Sequence, residues 1–163
     1  MENRPLILML MLLPLVSCGQ KTNSIDEEVK TLYKNTVPIA TKQEAEKWKS
    51  ARLLDTRETE EYRVSHLPKA ISVGYDDFKL SSVASIAKTD TIIVYCSVGY
   101  RSERIGEKLQ KAGYKHVFNL YGGIFNWKNN DGVVVDQSGK ATEKVHTYNK
   151  DWSRFLKKGE KVY

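Results

Sequence analysis

Cys96 opens the run Cys96-Ser97-Val98-Gly99-Tyr100-Arg101-Ser102, whose residue types suit sulfur and anion chemistry. It follows directly on Thr91-Ile92-Ile93-Val94-Tyr95, a β-branched and nearly all-apolar segment that predicts a strand buried on both faces. In a parallel α/β sheet, sites form at the carboxyl ends of strands. A loop leading from such a strand into a helix can aim several backbone N–H groups, and the helix N-terminus, at one point and stabilise an anion there. That anion could be the Cys96 thiolate, the reactive form of the side chain. Gly99 permits the backbone conformation such a cradle requires, and Arg101 adds a fixed charge able to hold an oxyanion. By spacing alone a second reading stands beside this one, with Cys96 a small buried hydrophobe at a strand end.

These residues need a frame. The chain has 163 residues, 28% charged and 40% hydrophobic, with 10 Gly and 4 Pro, which excludes collagen-like and low-complexity classes. It is long enough to bury a core without disulfide staples. Its 2 cysteines lie far apart, and no metal-ligand spacing of Cys and His is present, so neither a disulfide scaffold nor a metal is expected. The net charge of +6 is spread along the chain without a basic block, pointing to anionic surfaces or substrates and not to nucleic acid.

Apolar periodicity predicts a helix over 24–35, with Ile25, Val29, Leu32 and Tyr33 roughly on one face, then a short strand at Val37-Pro38-Ile39. Thr41-Lys42-Gln43-Glu44 has the form of a capping box opening a second helix. Strands and helices then alternate: a strand at 52–54, a helix over 58–64, a strand at 70–73 and a weaker helical stretch over 75–87. After the strand at 91–95 come a helix over 102–112, stopped by Gly113, a strand at 117–120, a Gly122-Gly123 turn and a short helix over 124–129. This order predicts one α/β domain with a mostly parallel sheet. A polar, Lys-rich tail begins near Asp136, and Trp152, Phe155 and Leu156 are expected to dock its last helix on the domain.

The loop at 96–102 resembles the active-site loop of rhodanese-like sulfurtransferases. The flanks resemble that family too: Leu54-Asp55-Thr56-Arg57-Glu58, Glu60-Glu61-Tyr62, His66-Leu67-Pro68-Lys69-Ala70-Ile71, Gly113-Tyr114, Leu120-Tyr121-Gly122-Gly123-Ile124 and Trp127. One departure is Ser65, where the family usually has Gly before the His. The resemblance implies a parallel sheet of about five strands with helices on both sides. It also implies a reaction without cofactor, in which Cys96 takes a sulfane sulfur from an anionic donor such as thiosulfate and passes it to a thiol or a cyanide-like acceptor. Cys96 would be the nucleophile, backbone N–H groups of Ser97, Val98, Gly99, Tyr100, Arg101 and Ser102 would stabilise its charge, and Arg101 would hold the donor's anionic end. Asp55, Arg57, His66 and Pro68 read as structural, Trp127 and Gly122-Gly123 as packing and turn residues, and His116 and His146 as surface residues. The stretch 148–152 carries no evident chemistry.

Two other classes compete. Phosphatases and arsenate reductases resemble a Cys-x5-Arg loop, whereas Cys96 and Arg101 enclose one residue fewer, which favours sulfur. A non-catalytic or persulfide-sensing binding module is the other alternative. At the opposite end of the chain, a short charged start is followed by the apolar run 6–13 and by Leu15-Val16-Ser17-Cys18-Gly19, which resembles a bacterial lipoprotein signal. The expected organisation is a signal peptide over 1–17, a tether and helix over 18–35 beginning with lipidated Cys18, a rhodanese-like domain over 36–135 and a polar extension over 136–163. The implied location is the bacterial cell envelope, with the domain facing the periplasm or cell surface. Gly19, in place of an acidic residue, leans towards the outer membrane.

Overall fold

The computed structural model describes residues 24–163; the signal-like segment, the tether and Cys18 lie outside the described residues. Helix α1 (Ile25–Leu32) leads into strand β1 (Ile39–Ala40), helix α2 (Lys42–Lys47) and strand β2 (Arg52–Asp55). Helix α3 (Thr59–Val64), strand β3 (Ile71–Ser72) and a 3-10 turn (Leu80–Val83) precede the central strand β4 (Thr91–Tyr95). Helix α4 (Tyr100–Lys111), strand β5 (His116–Leu120) and helix α5 (Gly123–Asn129) follow. The remainder comprises β6 (Val134–Val135), β7 (Ala141–Thr142), β8 (Lys144–His146), α6 (Lys150–Ser153) and β9 (Glu160–Val162).

Strands β1 to β5 form one sheet in the order β1-β5-β4-β2-β3, with every pairing parallel. The apolar run of β4 is continuous because both faces are covered. Ile92 and Val94 face a core containing Leu54, Val117, Ile105 and Leu109 of α4. Ile93 and Tyr95 face the other core, with Leu120, Ile124 and Phe125 of α5 and Phe155. Alternation of side chains along a strand thus sends neighbouring residues into two layers, the sandwich of helices expected of an α/β domain.

Several local expectations shift. The stretch over 75–87 contains one 3-10 turn and no α-helix. Helix α4 starts two residues earlier than its periodicity indicates, because Gly99 at φ 104 occupies the N-cap. Tyr100, Arg101 and Ser102 therefore form the helix's first turn. The Thr41 box is present in both directions, with Thr41 N–H donating to Glu44 Oε2 at 2.8 Å and Glu44 N–H to Thr41 Oγ1 at 3.2 Å. Ser65 sits at φ −170, an extended backbone open to any residue, so the departure from glycine costs no conformation there.

The tail is more than a docked helix. Strands β6 and β7 form an antiparallel pair that joins residues on either side of position 136. Strands β8 and β9 pair in parallel across the short intervening segment that holds α6. Val145, Phe155 and Leu156 are buried in the core. Among the described residues no helix is long and apolar enough to cross a membrane.

Candidate active site

Cys96 lies at the carboxyl end of β4, 1% exposed, where the chain must turn from strand into α4. Each carbonyl of the turn is tied down from outside it. Cys96 O accepts from Ile124 N–H at 2.9 Å and Ser97 O from Phe125 N–H at 3.1 Å, both at the start of α5. Val98 O accepts from the Tyr33 hydroxyl at 2.8 Å, and Gly99 O from Asn119 Nδ2 at 2.9 Å. With those carbonyls held from outside, Gly99 N–H donates to Cys96 Sγ at 3.1 Å, and of the six amides expected to serve the sulfur it is the one that makes this contact. The N-terminus of α4 adds its dipole on the same side.

Two glycines make this turn possible. A Cβ on Gly99 would stand 1.7 Å from the Tyr33 hydroxyl, and φ is 104 as well. A Cβ on Gly123 would stand 2.3 Å from Cys96 O. Gly122-Gly123 thus sets the distance between α5 and the loop as well as making a turn. Tyr33 also accepts from Gly122 N–H at 3.1 Å, and burial pushes its hydroxyl far above the usual phenol range, so it remains a donor.

Arg101 reaches back across the loop. Its Nη1 and Nη2 donate to Glu61 Oε2 at 2.7 Å and Oε1 at 2.8 Å, a bidentate pair. Ser97 Oγ completes a ring, donating to Glu61 Oε1 at 3.1 Å and accepting from Arg101 Nη2 at 3.1 Å. Burial works against the charge on both partners. For Glu61 the Arg101 hydrogen bonds and charge, with Arg57 behind them, outweigh it and hold the carboxyl below its ordinary range. For Arg101 the Glu61 bonds and the adjacent Cys96 sulfur outweigh it and hold the guanidinium charged. The positive charge expected to face a donor is therefore matched by a carboxylate.

The expected site residues separate by what their side chains do. Cys96, Ser97, Val98, Tyr100 and Arg101 line a pocket of about 510 Å³. The Ser102 side chain turns away and donates to Asn119 Oδ1 at 2.7 Å, bracing the amide that holds Gly99 O. Asp55 and Arg57 pair in full burial, with Arg57 Nη2 2.6 Å from Asp55 Oδ2 and from Ser65 O, which fits their structural reading. His66 stacks on Tyr62 at 3.9 Å, away from Cys96's pocket. Among the described residues no cluster of His, Cys, Asp and Glu could hold a metal ion.

Sequence reasoning left out several residues that build the site. Glu61 stands within the quoted Glu60-Glu61-Tyr62 motif, but only the fold brings it against Arg101. Asn119 is a buried polar residue inside an apolar strand, a signal that was readable. Tyr148 and Trp152 line the pocket from the tail. Their place depends on tertiary packing and had no local signature.

Residues 39–130, more than half of the chain, match the family model described as Rhodanese-like domain. The mitochondrial protein HIGH ARSENIC CONTENT 1 of Arabidopsis thaliana is 39% identical over 88 residues, covering 47% of this chain and 52% of that protein. A tRNA uridine(34) hydroxylase of Buchnera aphidicola subsp. Schizaphis graminum is 30% identical over 90 residues, covering 50% of this chain and 29% of the hydroxylase. The crystal structure of a thiosulfate sulfurtransferase from Pseudomonas aeruginosa aligns with a TM-score of 0.56 at 23% identity, covering 68% of this chain and 22% of that chain, a likeness of fold. The chain spans about half, or less, of the length of the curated relatives it matches.

Proposed function

This chain belongs to the rhodanese-like domain family, and from that premise we propose that it is a sulfurtransferase working through a persulfide on Cys96. The observation that carries the reading is the Cys96 sulfur accepting Gly99 N–H at 3.1 Å on the wall of a solvent-connected pocket. That contact and the start of α4 set the sulfur among hydrogen-bond donors at the pocket wall, where it can act as nucleophile and leaving group.

With thiosulfate, the Cys96 thiolate attacks the outer, sulfane sulfur. A bond forms between Sγ and that sulfur, the original S–S bond breaks, and sulfite leaves with the bonding pair. The resulting persulfide is then attacked at its terminal sulfur by a thiolate or cyanide, and Cys96 departs as thiolate. Sulfur changes hands in both steps and no outside oxidant or reductant is consumed. The Arg101–Glu61–Ser97 ring acts by fixing the loop, so that the Gly99 N–H on Sγ is already in place before the donor arrives.

Intact mass spectrometry tests this directly. Thiosulfate should add the mass of one sulfur atom to the wild-type domain, and cyanide should remove it. Cys96→Ser should gain nothing while keeping its fold, since a hydroxyl does not ionise near neutral pH. Absence of added sulfur from thiosulfate, polysulfide and an organic persulfide alike would overturn the reading. Loading without turnover would assign a persulfide-sensing module in place of an enzyme. We further propose that acyl chains on Cys18 hold the domain at a membrane of the bacterial cell envelope, a reading supported by the Leu15-Val16-Ser17-Cys18 pattern.

A further inference from the structure

The pocket around Cys96 is larger than a small dianion fills. Its volume of about 510 Å³ falls in the range that encloses drug-sized organic ligands, roughly 300–1,000 Å³. Arg101 is the single cation among the described residues that line it, and both Nη atoms are committed to Glu61. Two further carboxylate residues, Glu58 and Asp76, stand on the lining. The lining thus sets one guanidinium, already paired, against two carboxylates, with little unpaired positive charge for thiosulfate's two negative charges. Beside Tyr75, Val98 and Tyr100, its apolar wall includes three residues from outside the segment that matches the family: Leu32 on α1, Tyr148 after β8 and Trp152 on α6.

That wall is firmly placed. Tyr148 adopts φ 65, a left-handed conformation that bulky residues rarely take, and donates its N–H to His146 Nδ1 at 3.1 Å. The residue is 59% exposed, and its ring lies 5.8 Å from the Arg101 guanidinium. Thr147 N–H donates to Val162 O at 2.8 Å, tying the residue before it to β9. Trp152 is half-buried beside Phe155, with ring centroids 5.7 Å apart, and its N–H is capped by Asn149 Oδ1 at 3.0 Å. The fold thus holds a large aromatic side chain in water at a disfavoured backbone angle, over the entrance to Cys96.

We propose that Tyr148 and Trp152 form a specificity wall selecting sulfur donors with an uncharged organic group, of the form R–S–SH, over small inorganic dianions. The inference rests on the sulfurtransferase reading and narrows its donor. In the transfer step the Cys96 thiolate attacks the outer sulfur of R–S–SH and the donor's S–S bond breaks. R–S⁻ leaves with the electron pair and takes a proton from solvent, while Cys96 keeps the S–SH group. The organic group, itself uncharged, rests on the two rings as this happens.

The test compares kcat/KM for benzyl persulfide and for thiosulfate, with cyanide as acceptor. Wild type should favour benzyl persulfide. In Tyr148→Gly, which removes the ring and also suits the left-handed backbone, the benzyl persulfide to thiosulfate ratio should fall about tenfold, carried by KM. Tyr148→Phe should keep the wild-type ratio, and Trp152→Leu should lower it in the same sense as Tyr148→Gly. A wild-type preference for thiosulfate, or a ratio unmoved in both Tyr148→Gly and Trp152→Leu, would overturn the proposal while leaving Cys96 chemistry intact. Failure of both donors to load wild-type Cys96 would instead overturn the sulfurtransferase reading, and this inference with it.

Discussion

At the scale of single residues, the pairing of Arg101 with Glu61 changes what Arg101 can be expected to do. A lone guanidinium beside Cys96 would attract anionic donors, and its loss would raise their KM alone. Glu61 is 3% exposed in its side chain and Arg101 17%, so the two function as a unit. Arg101→Ala leaves a buried carboxylate without its partner, next to a sulfur that must carry negative charge. Breaking a buried pair from one side typically costs about 3–5 kcal/mol. Arg101→Ala should therefore lower thermal stability and slow Cys96 loading with charged and uncharged donors alike. The double variant Arg101→Ala/Glu61→Ala should recover part of both losses, a coupling read from a double-mutant cycle. Losses confined to anionic donors, with no recovery in the double variant, would return Arg101 to direct donor binding. Acid should act on the same pair. Glu61 has its carboxyl lowered in the folded chain, so its stabilising contribution is complete above the unfolded value of 4.5 and disappears as pH falls through the folded value.

At the scale of elements, the loop depends on an interlock between the first helix and the central strand's turn. Tyr33, the C-cap residue of α1, fills the space where a Gly99 side chain would stand. Gly99→Ala should be destabilising by about 2–4 kcal/mol, combining the left-handed backbone with a clash against a buried ring. In a Tyr33→Leu background the added cost of Gly99→Ala should shrink to the backbone part, about 1–2 kcal/mol, measurable by denaturant midpoints. Equal costs in both backgrounds would show that the ring is not the obstacle. Much of this was legible beforehand. The β4 run, the Gly99 punctuation and the apolar stripe of α4 are local signals, and they placed Cys96 at a strand end correctly. What was not legible were contacts made between distant segments: Glu61 meeting Arg101, Asn119 holding Gly99 O, and Tyr33 locking Val98. The tail illustrates the limit most clearly. Strands of two or three residues carry almost no periodicity, so β7, β8 and β9 were hidden in a polar, Lys-rich stretch.

At the scale of the whole molecule, the described residues form a self-sufficient body, with two cores flanking the sheet and the tail packed into one of them. Full-length chain expressed in a bacterial host should partition with membranes, while residues 24–163 alone should stay in the aqueous phase and keep the same thermal midpoint. Cys18→Ala should lose tight membrane association. Fatty-acid labelling of that variant as strong as wild type would sink the lipoprotein reading. The parallel pairing of β8 with β9 has a kinetic meaning beyond its place in the architecture. Tyr148 and Trp152 lie on the segment between those two strands, so one side of the pocket is carried by a loop whose ends are joined by a short ladder: Lys144 opposite Glu160, Val145 opposite Lys161, His146 opposite Val162. Ladders this short break by fraying from an end long before the body unfolds. A variant that breaks these pairings should loosen both rings together, and faster amide hydrogen exchange at residues 160–162 would read that loosening.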